Sequence, residues 1–429
     1  MALIAVIAPW IVKPLSTFGL LPRSFEFIDF PLVVAALFLA LSRPHVDDPR
    51  LETARRTITC WLATFSALVF VSSAATGSGY TRAAAALLLT LEPFLVVLVL
   101  LYSPPTTTGV MRSRNALIAI ALIQIPVAFA QWAATRNNDL VQGTLVGAGA
   151  GAHVMAGMLL LTALLIITTS RQLRFALAFS AAAIGVAVLS DAKGALFAFI
   201  PGLAVALMTK TARDDSHRSK RPWVLGGVAV GVLLALASYS ATPTALGFIQ
   251  RTFSQSGGKI AVANALVEDL RSSPGHTALG FGPGETVSRF AFLTTPLLLK
   301  EGSPVAWLGL GPGSRTLEYH SLASGTNIGA SSFTSGQSSA LGLLGDYGLL
   351  GLFAFGGLIG SVLVAMRRIR GKYAPAAFGA WAMLTPLMLV FDWFEQPPFM
   401  LSLALITGLA LTERSAQRPD ATRETSSRI

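Results

Sequence analysis

The run GAHVMAGMLLLTALLIITTSRQLRFALAFSAAAIGVAVLSDAKGALFAFIPGLAVALMT, residues 151–209, decides the fold class. It contains three apolar stretches, 151–169, 173–190 and 193–209. Arg171, Arg174, Asp191 and Lys193, its Lys, Arg, Asp and Glu residues, fall at or between the ends of those stretches. A bilayer's hydrocarbon core is crossed by roughly 20 mostly apolar residues in a helix, so uncharged runs of this length read as membrane spans. Only Asp191 and Ala192 separate the last two, which makes that break a tight helix junction.

Outward from this run the pattern recurs at 2–20, 28–43, 57–76, 83–103, 115–133, 223–240, 338–366, 374–392 and 397–412. With the three stretches above, the expectation is an all-α polytopic membrane protein of about twelve transmembrane helices. Lys13-Pro14 interrupts the first span. Composition agrees, because charged residues are 12% of the chain, hydrophobic residues are 53% and mean hydropathy is +0.63. That charged share is about half the usual value for soluble domains, which excludes a disordered chain and argues against a soluble multi-domain enzyme. The one cysteine, Cys60, lies in an apolar run, so neither an intramolecular disulfide nor a cysteine metal cluster can form. The start, MALIAVIAPWIV, lacks a basic n-region and a clear small-residue cleavage site, and is expected to be a retained first helix.

The formal charge of +11 is explained by topology. With the N-terminus inside, the connections 43–56, 104–114, 170–174, 210–222, 366–373 and the tail from 413 carry 21 of the 32 Lys and Arg residues. They are short and basic, as in HRSKR at 217–221 and RRIRGK at 367–372. This positive-inside bias predicts that both termini are cytoplasmic, and leaves little for a nucleic-acid partner to explain. The expected organisation is nine spans within 1–240, an extracytoplasmic loop domain at 241–336, three spans within 337–412, and a disordered cytoplasmic tail at 413–429.

A connection as long as 241–336 calls for a functional reason. Within it KIAVANALVEDLRSS, 259–273, places Ile260, Ala263, Leu266, Val267 and Leu270 at helical spacing. Glycine–proline clusters follow at GFGPG, 280–284, and GLGPGSR, 309–315, around the short apolar run FAFLTTPLLL, 290–299.

Ionisable groups at membrane depth are functional candidates by default. Glu92, in LLLTLEPFLVV, is the deepest carboxylate, read either as a proton relay or substrate contact or as a buried neutral acid. Asp191 and Lys193 form either a local charge pair at a helix junction or a cationic receptor for an anionic head group. Outward-facing Arg251, Lys259, Arg271, Arg289, Lys300 and Arg315 run against the positive-inside trend, and are either solvated or anion-binding. His153, His276 and His320 fall on the same side, where histidine is a natural general base. Glu268 and Asp346 are further acidic candidates. HExxH, a P-loop, GxSxG, a Rossmann fingerprint after a strand and an external Asp-x-Asp pair are all missing from the sequence, so no cofactor or metal is expected.

Three stretches together resemble the O-antigen ligase and polymerase superfamily of membrane glycosyltransferases. VQGTLVGAGAGAHVMAGMLLL, 141–161, is similar to its Gly-Thr segment that opens a helix. VLSDAKGALFAFIPGL, 188–203, is similar to its S-x-S-R-G-A stretch, with Lys193 at the arginine. SGGKIAVANALVEDLRSSPGHTALGFGPG, 256–284, and QSSALGLLGDYGLLGLFAF, 337–355, resemble its outer loop and the helix after it. Lys259 stands at an arginine, Asp346 at an acidic position, and Gly348 and Gly351 at glycines, while Gln337-Ser338 replaces a His-Asn pair.

The resemblance implies a type C-like helical fold and a glycan donor linked to a polyprenyl diphosphate. Transfer would go to an acceptor glycan or glycolipid at the outer membrane face, with inversion and without metal. It implies that Lys193 and Lys259, with Arg289, Arg82 and Arg136, hold the pyrophosphate, and that His320, His276 or Asp191 serves as base. Glu92, Glu268 and Gln337 are secondary candidates, Gln337 being unable to titrate. Two other functions compete: a transporter or flippase with Glu92 as relay, and a non-catalytic scaffold for envelope assembly.

Overall fold

A computed structural model of the chain describes residues 1–21, 28–43, 48–145, 151–211, 258–294, 310–311, 313–324, 338–390 and 393–416. All regular structure among them is helical. In chain order the helices are α1 (Ala2–Thr17), α2 (Asp29–Leu41), α3 (Pro49–Thr76), α4 (Tyr80–Tyr102), α5 (Thr107–Thr135), α6 (Gly151–Thr169), α7 (Leu173–Leu189) and α8 (Lys193–Thr211). The outer segment contributes α9 (Gly258–Arg271), α10 (Pro274–Leu279), α11 (Arg289–Leu293) and α12 (Thr316–Ser324). Then follow α13 (Ser339–Ile369), α14 (Ala374–Val390) and α15 (Pro397–Ala416), with short 3-10 turns at Asn138–Leu140 and Trp393–Glu395. Six helices, α3, α4, α5, α6, α8 and α13, are long and apolar enough to cross a membrane. The apolar helices α1, α2, α7, α14 and α15 are shorter.

Each predicted apolar stretch coincides with one of these helices except 223–240, which lies outside the described residues, as do Gln337 and 417–429. The boundaries differ where polar residues do the folding. Asp48 caps α3 by accepting from the Arg50 amide (3.0 Å), with Pro49 in the first turn, so the helix begins well before 57. Thr106 likewise caps α5 by accepting from the Gly109 amide (3.2 Å), before 115. At the other end α15 runs on to Ala416, where a tail from 413 was expected, because the Glu413 carboxylate accepts the Lys372 amide. Lys13-Pro14 does not break α1. Pro14 cannot donate to the Trp10 carbonyl four residues back, and the Thr144 hydroxyl donates to it instead (3.2 Å).

Helices α4 and α6 are buried almost all round and form the centre of the bundle. Around them α3, α5, α8 and α13 turn large apolar side chains outward, among them Phe70, Ile123, Phe129, Phe197 and Phe353. So much exposed apolar surface, on helices long and apolar enough to cross a membrane, suggests a membrane protein. Helices α8 and α14 cross at glycine: a Cβ on Gly202 would lie 2.8 Å from the Gly379 carbonyl oxygen. Phe94 stacks on Phe394 (9° between planes) and meets Phe355 edge-on, tying α4 to α13 and to the turn before α15.

Successive helices reverse direction, so the bundle has two chemically distinct ends. One end carries Arg43, which donates to Ser103 Oγ (3.0 Å), and Lys210, which donates to the terminal carbonyls of α6. That end also holds the Arg-rich terminus of α13. The opposite end holds Arg82, Arg136, His153, Asp191, Lys193 and the outer segment.

Candidate functional site

At this second end the two halves of the third motif fold into one body. GFGPG is a turn held open by positive φ at Gly280 (74°), Gly282 (104°) and Gly284 (69°). Its amides dock on the first half of α13: Phe281 N–H donates to Gly345 O (2.8 Å) and Gly282 N–H to Asp346 O (3.0 Å). The buried Asp346 carboxylate accepts from the Gly284 amide (2.8 Å), the Thr286 amide (3.0 Å) and the Thr286 hydroxyl (2.6 Å). Helix α13 bends at Gly348 (φ 66°, ψ −165°), where a Cβ would stand 2.5 Å from the Ala278 carbonyl carbon. That bend is required by the docking, and only glycine adopts it at low cost. From α3, the Ser72 hydroxyl reaches Leu279 O (2.7 Å). Asp346, expected as a candidate base, is thereby engaged in holding backbone.

Arg82, at the start of α4, bridges the two glycine–proline clusters. Its guanidinium donates to Gly284 O (3.1 Å) and Gly311 O (2.7 Å) and lies 3.5 Å from Glu285 Oε1. Beyond it Asp269 on α9 accepts from Arg315 and from the Tyr319 hydroxyl (2.5 Å). Arg315 also covers the Phe281 ring at 4.4 Å. Burial opposes the Arg315 charge, but the hydrogen bonds to Asp269 and Tyr319 outweigh it and raise the guanidinium above its ordinary pKa. Burial and the bond to Asp269 push the Tyr319 phenol above its ordinary value of 10. His276 packs against Phe281 (4.5 Å between ring centres, planes tilted by 41°), and its buried Nδ1 has no hydrogen-bond partner among the described residues. His320 on α12 is fully buried. On α9 the buried stripe is Val262, Leu266 and Leu270, so Glu268 faces outward and Asp269 inward.

The first and second motifs meet around the top of α6. Gly143-Thr144 does not open the helix, as expected, but forms a turn ahead of it, and α6 begins at Gly151. Gln131 Oε1 accepts the amides of Gln142 (2.9 Å) and Gly143 (2.8 Å), and Gln124 Oε1 accepts that of Thr144 (2.7 Å). Next to this latch, His153 in the first turn of α6 feels the charges of Asp191 and Lys193. Asp191 takes φ 53° to reverse the chain between α7 and α8, and its Oδ1 lies 3.2 Å from Lys193 Nζ. The Asp191 side chain is 35% exposed and that of Lys193 12%. One turn along α6, Gly157 lies against the Trp393 ring, and the next amide, Phe394 N–H, donates to Ser339 Oγ (3.0 Å). The start of α13, beside the Gln337 position, therefore belongs to the same neighbourhood.

A third cluster lies deeper. The carboxyls of Asp29, at the start of α2, and Glu92, midway along α4, are buried and in mutual contact, with Arg289 of α11 as the attracting cation. Asp29 went unnoticed in the sequence because it sits at the edge of an apolar run. Arg136 caps α5 in the left-handed region and stacks on Trp132 (4.1 Å). Lys259 lies in the first turn of α9, with its side chain outside the described ones, and Gln337 lies outside them altogether. Among the described residues no three His, Cys, Asp or Glu side chains gather as a metal site.

Compared with known proteins, the chain matches no family profile and no curated protein sequence.

Proposed function

We propose that the chain is a polytopic membrane glycosyltransferase of type C-like architecture. It moves a glycan from a polyprenyl-diphosphate carrier to an acceptor sugar at the outer face of the plasma membrane. The observation that supports this reading best is the Asp191–Lys193 pair, held beside His153 at a helix junction on the end of the bundle that carries few basic connections. A partly exposed lysine paired to one carboxylate can exchange that partner for a diphosphate, which carries more charge. The exchange leaves Asp191 beside the donor, free to take a proton from the acceptor hydroxyl as its oxygen attacks the anomeric carbon. The carbon–oxygen bond to the diphosphate breaks, the configuration inverts, and the leaving diphosphate keeps the electron pair next to Lys193. Lys259, Arg289 and Arg136 are assigned supporting contacts to the carrier. The reading includes twelve spans, both termini cytoplasmic, and the outer segment closing over the site.

The test is transfer by purified protein in detergent, with chelator present, from a polyprenyl-diphosphate glycan to a panel of acceptors, read by mass. Lys193→Ala should lower donor affinity, and Asp191→Asn should lower turnover while donor affinity holds or improves. Wild-type transfer in both variants would remove the assignment.

A transporter or flippase is the second reading, favoured by the Asp29–Glu92–Arg289 cluster, since buried carboxyls in contact suit a proton relay. Proton-coupled uptake in vesicles that is lost in Glu92→Gln would select it.

A further inference from the structure

The end of the bundle opposite the proposed site has a cavity of about 680 Å³ lined by Arg50, Val364, Arg367, Arg368 and Arg370. Arg50 comes from the first turn of α3 and the others from the last turns of α13. It continues into a groove of about 560 Å³ between the same two helices, sharing Arg50, Val364 and Arg368 with it.

The groove has a physical cause. Trp61 on α3 lies flat against Gly357 on α13, where a Cβ would stand 2.5 Å from the ring, and Phe353 meets Trp61 edge-on at 5.8 Å. That contact sets the separation of the helices. One turn further toward the arginines the side chains are small, and a Cβ on Gly360 would meet nothing within 4 Å. The hydroxyls along the groove are already satisfied by their own helices: Thr53 bonds to Pro49 O (2.8 Å), Thr57 to Thr53 O (2.8 Å) and Ser361 to Leu358 O (2.7 Å). The lining is therefore apolar below and cationic above.

The charge at the mouth is unbalanced. Among the described residues no carboxylate lines either cavity. The carboxylate of Glu52 is taken by Arg55 (3.4 Å) and Arg56 (2.7 Å). No ion pair to the side chains of Arg50, Arg367 or Arg368 occurs among the described residues, and all three are exposed. A positive-inside bias alone explains arginines at a helix end. It does not explain their convergence from two helices on one cavity that opens into an apolar slot.

We propose that this is a binding site for an anionic glycerophospholipid of the cytoplasmic leaflet. Its phosphate sits among Arg50, Arg367, Arg368 and Arg370, and an acyl chain lies along Trp61, Gly357 and Gly360. A zwitterionic lipid is disfavoured, because the described lining offers no carboxylate to its ammonium group. The inference rests on the membrane orientation and not on the glycan donor.

The test is native mass spectrometry of the delipidated full chain in detergent, titrated with phosphatidylglycerol or phosphatidylcholine. Wild type should prefer phosphatidylglycerol by at least about tenfold, as expected for several converging arginines. The triple variant Arg50→Gln, Arg367→Gln, Arg368→Gln should lose the preference. Gly360→Phe, which fills open space, should lose phosphatidylglycerol, whereas Gly356→Phe, also facing open space but outside the groove, should keep it. Equal binding of the two lipids by wild type, or an unchanged preference in the triple variant, overturns the proposal. So does displacement of the lipid by millimolar inorganic phosphate, which would make this a free-phosphate site. Retention in Gly360→Phe overturns the placement of the acyl chain.

Discussion

Replacing Asp346 by Asn tests whether one carboxylate holds the outer turn to α13. Its two oxygens are used separately: Oδ2 accepts from the Gly284 amide, and Oδ1 from the amide and hydroxyl of Thr286. An Asn of the same shape has one oxygen. It is best placed at the Oδ1 position, where it keeps both bonds from Thr286. Its amino group then faces the Gly284 N–H, donor against donor, in a buried site. Losing a hydrogen bond to a charged acceptor and leaving a buried donor unmet costs roughly 2–3 kcal/mol. If that energy is taken from local opening, the Gly284 amide exchanges about 30- to 160-fold faster. Residue-resolved hydrogen exchange in detergent reads this directly. Gly284 should accelerate more than Thr286, and Asp346→Ala should release both. Exchange within about twofold of wild type at Gly284 in Asp346→Asn would refute the reasoning, because the turn would then be held by something else.

Gly348→Ala should lose at least about 2 kcal/mol, since it combines a left-handed φ with a Cβ 2.5 Å from Ala278 carbonyl atoms. Gly356→Ala, with open space at Cβ, serves as the control, and thermal stability in detergent measures both. Arg82→Lys keeps a charge near Glu285 but cannot span the Gly284 and Gly311 carbonyls. Transfer and protection of the outer turn should therefore fall together in Arg82→Lys and Arg82→Ala. Loss of transfer with full protection would instead make Arg82 a substrate contact. Tyr319 has a folded pKa above its ordinary value of 10, so its contribution is fully present below pH 10 and is lost as pH rises toward the folded value. Protection of α9 and α12 should weaken above about pH 10 in wild type, and Tyr319→Phe should abolish that dependence at the cost of about 1 kcal/mol from the lost bond to Asp269.

Apolar runs made the helices legible in the sequence, because a bilayer allows few alternatives to a helix, whereas the caps at Asp48 and Thr106 lie outside those runs and set starts the runs did not give. What stayed hidden was set by contacts distant in sequence. Asp346 was read as an acidic motif position, but its partners are some sixty residues upstream, and no local pattern states that it bonds backbone. Asp269 and Glu268 are neighbours on α9, and only its packing along Val262, Leu266 and Leu270 shows which of the two turns inward. The role of Thr144 depends on Pro14: a missing amide in α1 leaves a carbonyl that a hydroxyl in another segment satisfies. Asp29 and Glu92 pair across two helices, and only one of them sits deep enough in an apolar run to draw notice.

The polar residues at the outer end therefore divide by what their bonds already do. Arg82 and Asp346 are committed to carbonyls and amides, and Gln124, Gln131 and Thr144 to a backbone turn and a proline-freed carbonyl. A diphosphate could recruit these groups only by opening the structure they close. Lys193 is different, because its partner is a partly exposed carboxylate two residues away. Exchanging that carboxylate for phosphate breaks a side-chain ion pair and not a backbone bond. Lying at the outer end therefore does not by itself make a cation a ligand. The ligand candidates are the cations whose present partner can be displaced without unfolding, and among the described residues Lys193 meets that condition most directly.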